Sequence, residues 1–276
     1  MTDDTALHAR LTGWHLRVRA AMASQRLDLP FAVCVITDDL PGVYDLNLMT
    51  VTAQVPPAVL LRSVERVAAT AGWRHRRVEV DSPSIADRLR APLTDAGYTE
   101  ERFVTMALTG TPSSTVAGDG QESRPTAVID VDEQLDLARA VTAQESSADS
   151  DELIGQLVER ERRLTRVAAG RVVVAPPEAP VSRCLLLEEP EGGLTEIDAV
   201  STLVNHRGQG WSDAVMRRAV AEARAHGTEH VVLVADDADW PKTWYQRLGF
   251  TTVGRSWAFR RYPETQPDHA QSMTTP

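Results

Sequence analysis

The sequence predicts an α/β protein with a mixed (α+β) sheet, laid out as two tandem copies of one unit, the first shortened at its front. Three observations lead there. Short runs dense in Val, Ile and Leu alternate with segments of helical periodicity. A shift of 155 residues places His230 on His75, Gly227 on Gly72 and the helix opening at Ser212 on one opening at Pro57. Between the copies, residues 109–125 are small, polar and rich in Gly, Ser and Pro, too poor in apolar surface to order themselves. The expected organisation is a degenerate unit over 1–108, a flexible linker over 109–125, a complete unit over 126–262 and a disordered tail over 263–276.

In the first copy, residues 6–24 carry a helical pattern with Trp14, Leu16, Val18 and Met22. A strand follows over 31–37, with an antiparallel neighbour over 43–51. Pro56-Pro57 opens a helix, a place where proline is well tolerated. A strand over 77–80, a helix over 85–96 and a strand over 102–108 complete the copy. The second copy reads as helices over 132–144 and 150–168, then strands over 171–175, 181–188 and 195–204. A helix from Ser212, a strand from His230, a short helix from about Trp240 and a last strand follow.

Composition narrows the function. Thirty-nine acidic residues against 29 basic ones leave a net charge of −10, which argues against nucleic acid or an anionic membrane as partner and suits a cationic substrate. No apolar run approaches the ~20 residues of a membrane span, and the acidic N-terminus lacks the layout of a secretion signal. Cys34 and Cys184 each sit in an apolar strand run and read as buried free thiols, which points to the cytoplasm. No Cys or His pair has metal-ligand spacing, so no metal is expected. A homodimer is compatible with the chain.

The stretch the chain is organised around is Arg207-Gly208-Gln209-Gly210-Trp211-Ser212, between a strand and a helix. Two glycines let the backbone approach a ligand closely. The helix behind them adds unsatisfied amides and a partial positive charge, so an anion such as phosphate is the natural guest. No Lys-Ser or Lys-Thr follows the second glycine, and the three-glycine dinucleotide fingerprint is absent. The pattern Arg207-x-x-Gly210-x-Ser212 does resemble the pyrophosphate loop of the GNAT superfamily of acyl-CoA-dependent N-acyltransferases, with serine where that family has glycine or alanine. Farther on, Trp244-Tyr245-Gln246-Arg247-Leu248-Gly249-Phe250 resembles the family's Leu-Tyr-x-x-Leu-Gly-Phe signature. The resemblance covers residues 126–262 well and 30–108 weakly. Opposite the loop, the first copy has Thr52-Ala53-Gln54-Val55-Pro56-Pro57, without glycines and with two amide donors lost to proline.

The resemblance implies an acetyl-CoA-dependent N-acetyltransferase acting on a primary amine of a small molecule, with catalysis in the second copy. By it, Val200, Ser201 and Thr202 on the strand before the loop hold the pantetheine arm. Arg207, Gly208, Gln209, Gly210, Trp211 and Ser212 hold the diphosphate, and Tyr245 protonates the leaving thiolate. Glu196 and Asp198 alternate on the strand, face one side, and are the candidate bases; Glu188 and Glu189, at the end of the preceding strand, are further options that read more simply as solvated charges at a loop edge. Asp213 reads as compensating the helix dipole, and His75 and His230 as structural. Departing from the family, Asp236-Asp237-Ala238-Asp239 is acidic where many members carry asparagine. The alternative reading is a non-catalytic acyl-CoA-binding or interaction module; a peptidyl acceptor is also open.

Overall fold

The protein is described by a computed structural model covering residues 3–110, 124–145 and 150–262. The heart of the expected linker, 111–123, and the expected tail, 263–276, lie outside the described residues. The first elements are α1 (Asp3–Met22), β1 (Gln25–Leu29), β2 (Ala32–Ile36), β3 (Leu48–Val51), α2 (Pro57–Ala71), β4 (Arg76–Val80), α3 (Pro83–Asp95) and β5 (Thr99–Leu108). Then come β6 (Ala127–Ile129), α4 (Leu135–Glu145), α5 (Asp151–Val167), β7 (Arg171–Ala175), β8 (Ser182–Glu188) and β9 (Leu194–Thr202). The last are α6 (Trp211–Ala225), β10 (His230–Asp236), α7 (Pro241–Arg247) and β11 (Phe250–Arg261).

Two compact units result, and they do not follow chain order. Residues up to Thr105 form the first together with Ala235–Asp239 and the described residues from Thr252 onward; Met106–Val234 and Trp240–Thr251 form the second. The sequence reading placed 252–262 in the second copy. In the structure these residues pair with β4 of the first unit, antiparallel from Trp257↔Val80 to Arg261↔Arg76. Trp257 and Phe259 are buried in that unit's core beside Leu60 and Val64 of α2 and Leu89 and Leu93 of α3.

In the first unit the strand order is β1-β2-β3-β4-β11-β5. β1 was not anticipated, because four of its five residues are exposed and no apolar alternation marks it. It pairs antiparallel with the fully buried β2. The expected strand over 43–51 shortens to β3, preceded by a single 3-10 turn over Tyr44–Leu46. α2 starts on Pro57 and stops at Gly72, whose φ of +66° is the left-handed cap that glycine adopts without strain. β3 and β4 run parallel and stay paired to the last residue of each, Val51↔Val80.

α1 buries Leu7, Leu11, Trp14, Val18 and Met22, one stripe at helical spacing. Arg19 on that helix pairs with Glu79 at 2.5 Å, and Arg77 pairs with the same carboxylate at 2.8 Å. Burial pushes Glu79 toward its neutral form, but the two guanidiniums outweigh it and hold the carboxyl below its usual range. His75 is 1% exposed, stacks on Tyr44 at 3.8 Å and on Trp73 at 5.7 Å, and donates from Nε2 to the Asn47 carbonyl at 2.7 Å.

In the second unit the order is β10-β9-β8-β7-β6. β6, also unanticipated, is three half-buried residues paired antiparallel with β7. Ser150 caps α5 by accepting from the Leu153 amide at 3.2 Å. Beneath the sheet, Arg183 of β8 forms a buried ion pair with Glu161 of α5, Nη2 to Oε2 at 2.6 Å, and Gln134 bonds to both.

Burial lowers the His75 pKa from 6.5 to about 4. The imidazole is therefore neutral when folded and basic when unfolded, so its contribution to stability is complete above pH 6.5 and lost as pH falls toward 4. The expected loss is about 3 kcal/mol. Urea unfolding at pH 7 and pH 4.5 measures it. His75→Gln should flatten the pH dependence by about one proton, and an unchanged slope would refute the assignment.

Candidate functional site

The site is built on the edge between β9 and β10. Their parallel pairing covers His230↔Leu194, Val231↔Thr195 and Val232↔Glu196 and goes no further, although β9 continues to Thr202 and β10 to Asp236. Beyond Glu196 the two strands part and the β9–β10 ladder ends. This is where the resemblance puts the pantetheine arm, along Val200, Ser201 and Thr202.

A β-bulge accompanies the parting. Against β8 the register runs Leu185↔Asp198 but Arg183↔Ser201, so β9 carries one extra residue opposite Cys184. Ala199 takes a φ of +48°, a left-handed conformation costing a non-glycine residue about 1 kcal/mol. The Asp198 carboxylate accepts the Ala199 N–H at 2.8 Å and braces it. The bulge reverses which way later side chains point. Below it, Glu196 and Asp198 share the face on which Arg183 meets α5, and Arg160 of α5 lies 3.9 Å from Asp198. Above it, Thr202 turns to the other face with Ser182 and bonds Ser182 and Ser212 through its hydroxyl, each at 2.8 Å. The serine that departs from the family pattern thus ties the start of α6 to the end of β9.

From Thr202 the chain passes a 3-10 turn over Val204–His206 into the glycine loop. Gln144 of α4 clamps this exit, donating to the Thr202 carbonyl at 3.2 Å and accepting the Val204 N–H at 2.8 Å. Arg207 is exposed and donates from Nε to the Thr202 carbonyl at 3.2 Å. Gly208 has a φ of +70°, and a Cβ there would meet nothing within 4 Å. Gly210 precedes α6 with a φ of +78° and no side chain caps the helix. Among the described residues no acceptor takes the N–H groups of 208–213. Gln209 and Trp211 are joined through their side chains at 3.4 Å, and the Arg124 guanidinium lies 4.4 Å over the Trp211 ring. An open turn of free amides at the head of a 15-residue helix is fitted to bind phosphate.

Tyr245 lies on α7, which Pro241 starts. It is buried, packs edge-on against Phe250 at 6.2 Å, and its phenol is pushed well above its ordinary pKa chiefly by burial, with Asp198 adding to the rise. Glu196 is 5% exposed, whereas the Asp198 side chain is 37% exposed. Glu189, expected to be solvated, is buried, and Glu188 pairs with Arg171. Asp213, expected only to balance the helix dipole, accepts a bond from the Trp244 indole at 2.9 Å. Sequence reasoning missed Trp244, Ser182, Gln144 and Arg160. Only Trp244 had a signal, its place beside Tyr245; the others depend on register. Among the described residues no cluster of His, Cys, Asp and Glu could hold a metal, and no helix is long and apolar enough to cross a membrane.

The first unit differs at the equivalent place. Pro56 and Pro57 have no N–H, the Thr52 and Ala53 amides are spent on the Phe31 carbonyl, and β3 does not leave β4.

The profile of the Acetyltransferase (GNAT) family matches residues 135–250. No curated protein matches the chain significantly. Among solved structures the chain is similar to a functionally unknown conserved protein from Staphylococcus epidermidis, with 13% identity, TM-score 0.69, and 88% of this chain and 95% of that one covered. It is similar to a GCN5-related N-acetyltransferase from Kribbella flavida, with 18% identity, TM-score 0.63, and 94% and 96% covered. A tandem GNAT protein from the clavulanic acid biosynthesis pathway shares 10% identity at TM-score 0.57, with 86% and 79% covered. These likenesses show a GNAT-like fold.

Gly210→Pro would demand a φ near −65° where the loop has +78° and would delete one amide. It is expected to abolish binding of CoA, used as a diphosphate-bearing probe in calorimetry. Wild-type affinity in that variant would remove the loop from the site.

Proposed function

Residues 135–250 being a domain of the Acetyltransferase (GNAT) family, an acyl-transfer family, we propose that the protein is an acetyl-CoA-dependent N-acetyltransferase whose acceptor is a primary amine of a small molecule and whose chemistry takes place in the second unit. The observation that carries the reading is the parting of β9 from β10 directly before a turn of free amides at residues 208–213. An extended ligand with a diphosphate at one end fits both: open strand backbone for an amide-bearing arm, helix N-terminus for the phosphates.

Acetyl-CoA, when bound, supplies an activated acyl group as a thioester. The chain's own contribution is to hold and to manage protons. The amides of 208–213 and the Arg207 charge bind the diphosphate. The β9 backbone beyond Glu196, where the pairing with β10 has ended, orients the arm. Burial keeps Tyr245 Oη protonated through the neutral range, so it acts as donor rather than acceptor. Asp198 is the base we favour, because its carboxylate is accessible at the bulge while Glu196 is buried. The acidic net charge suits a cationic acceptor.

A thiol-release assay with acetyl-CoA and a panel of amines tests the reading; tight CoA binding without turnover on any amine would support a binding module instead. Tyr245→Phe is expected to lower kcat by about 100-fold while sparing CoA affinity, and an unaltered kcat would refute the acid role. Asp198→Asn keeps the acceptor for the Ala199 N–H, so the bulge survives. It should lower kcat by at least about tenfold and remove the acidic limb of the pH–rate profile; a profile like that of the wild type would exclude Asp198 as base.

A further inference from the structure

Trp244 and Asp213 meet beside the amide turn, Nε1 donating to Oδ1 at 2.9 Å. Asp213 is the third residue of α6, within the first turn, where a carboxylate is drawn to the free amides and the positive end of the helix. It does not take that place, since no side chain caps α6 and the amides of 208–213 have no acceptor among the described residues. A carboxylate settled there would compete with any phosphate for the same donors. Trp244 is also the immediate neighbour of Tyr245, the two rings 4.9 Å apart, and it packs on Trp240 at 6.3 Å.

We infer that Trp244 is a positioning residue: its indole holds the Asp213 carboxylate off the amides so that an anionic ligand can occupy them, and the same bond ties α7, with Tyr245, to the turn that binds the ligand. The inference rests on the transferase reading above. An acidic residue in the first turn of a phosphate-binding helix is tolerated because a donor of the chain's own diverts it. The bond joins the binding of one end of the ligand to the placement of the proton donor at the other.

A double-mutant cycle tests this, with CoA affinity read by calorimetry on the full chain. Trp244→Phe keeps the ring and deletes the donor, and should weaken CoA binding by at least about tenfold. Asp213→Asn alone should stay within about threefold of wild type. Combined with Trp244→Phe it should restore affinity, because the freed side chain no longer carries charge. A structural defect would not be rescued by removing a charge elsewhere, so additive effects would overturn the inference. Should Trp244→Phe not fold, Asp213→Leu carries the test: it removes charge and acceptor together, should keep CoA affinity and lower kcat by at least about tenfold as α7 is untied. Wild-type kcat in that variant would overturn the positioning role. A wild-type protein that ignores CoA would instead bring down the transferase reading itself.

Discussion

The parting of β9 from β10 is the constraint on which the rest of the site depends. Neighbouring strands lie about 4.8 Å apart, each closing the other's hydrogen-bonding edge. Once pairing stops at Val232↔Glu196, β10 no longer closes the edge of β9. That edge leads along β9 to the glycine turn at residues 207–212. On the proposed reading, an elongated thioester would bind there with little reorganisation, because the turn's donors are already fixed by the helix behind it.

Holding the strands apart takes support from elsewhere in the unit. The bulge at Ala199 bends β9 and is stabilised locally by the Asp198 carboxylate. Beyond it, the hydroxyls of Ser182, Thr202 and Ser212 and the amide of Gln144 anchor the strand's end on both sides. On the opposite face the buried Arg183–Glu161 pair fixes β8 against α5 just where β9 changes direction. Such a pair adds little net stability over an apolar one, but losing either partner would strand a buried charge. Asp198 thus braces the bulge through Oδ1 while Oδ2 lies 3.9 Å from Arg160, and its partial exposure separates it from the buried Glu196.

Much of this was legible in the residues, and the remainder was hidden for identifiable reasons. α6 was visible because Val215, Ala219, Val220 and Ala223 form one apolar stripe, and all four are buried. The loop was visible because only glycine adopts the positive φ of positions 208 and 210 without strain. The bulge was not: its left-handed residue is an alanine, and one extra residue in a strand leaves no compositional trace. β1 and β6 escaped because neither buries a clear face. The passage of 252–261 into the first unit escaped because a strand's pattern states which face it buries and not which neighbour it pairs with. Tyr245 was singled out by its motif, whereas the link of its neighbour Trp244 to Asp213 appears only in three dimensions.

The first unit shows what the same unit becomes when these features are absent. Its parallel pair β3–β4 stays closed to the last residues, its turn has lost amides to Pro56 and Pro57, and no bulge separates the strands. The losses belong together, since a closed pair leaves no channel for a ligand and a donor-poor turn has nothing to hold one. In their place the sheet face is sealed by α1, whose Leu11 and Trp14 are almost wholly buried and whose Arg19 reaches Glu79 on β4. Glu79 is flanked by two guanidiniums on a strand covered from above, so opening that face would expose a buried carboxylate and break both pairs. The packing of this unit therefore opposes a cradle at the equivalent place. On the proposed reading, the ligand chemistry falls to the unit whose strands diverge.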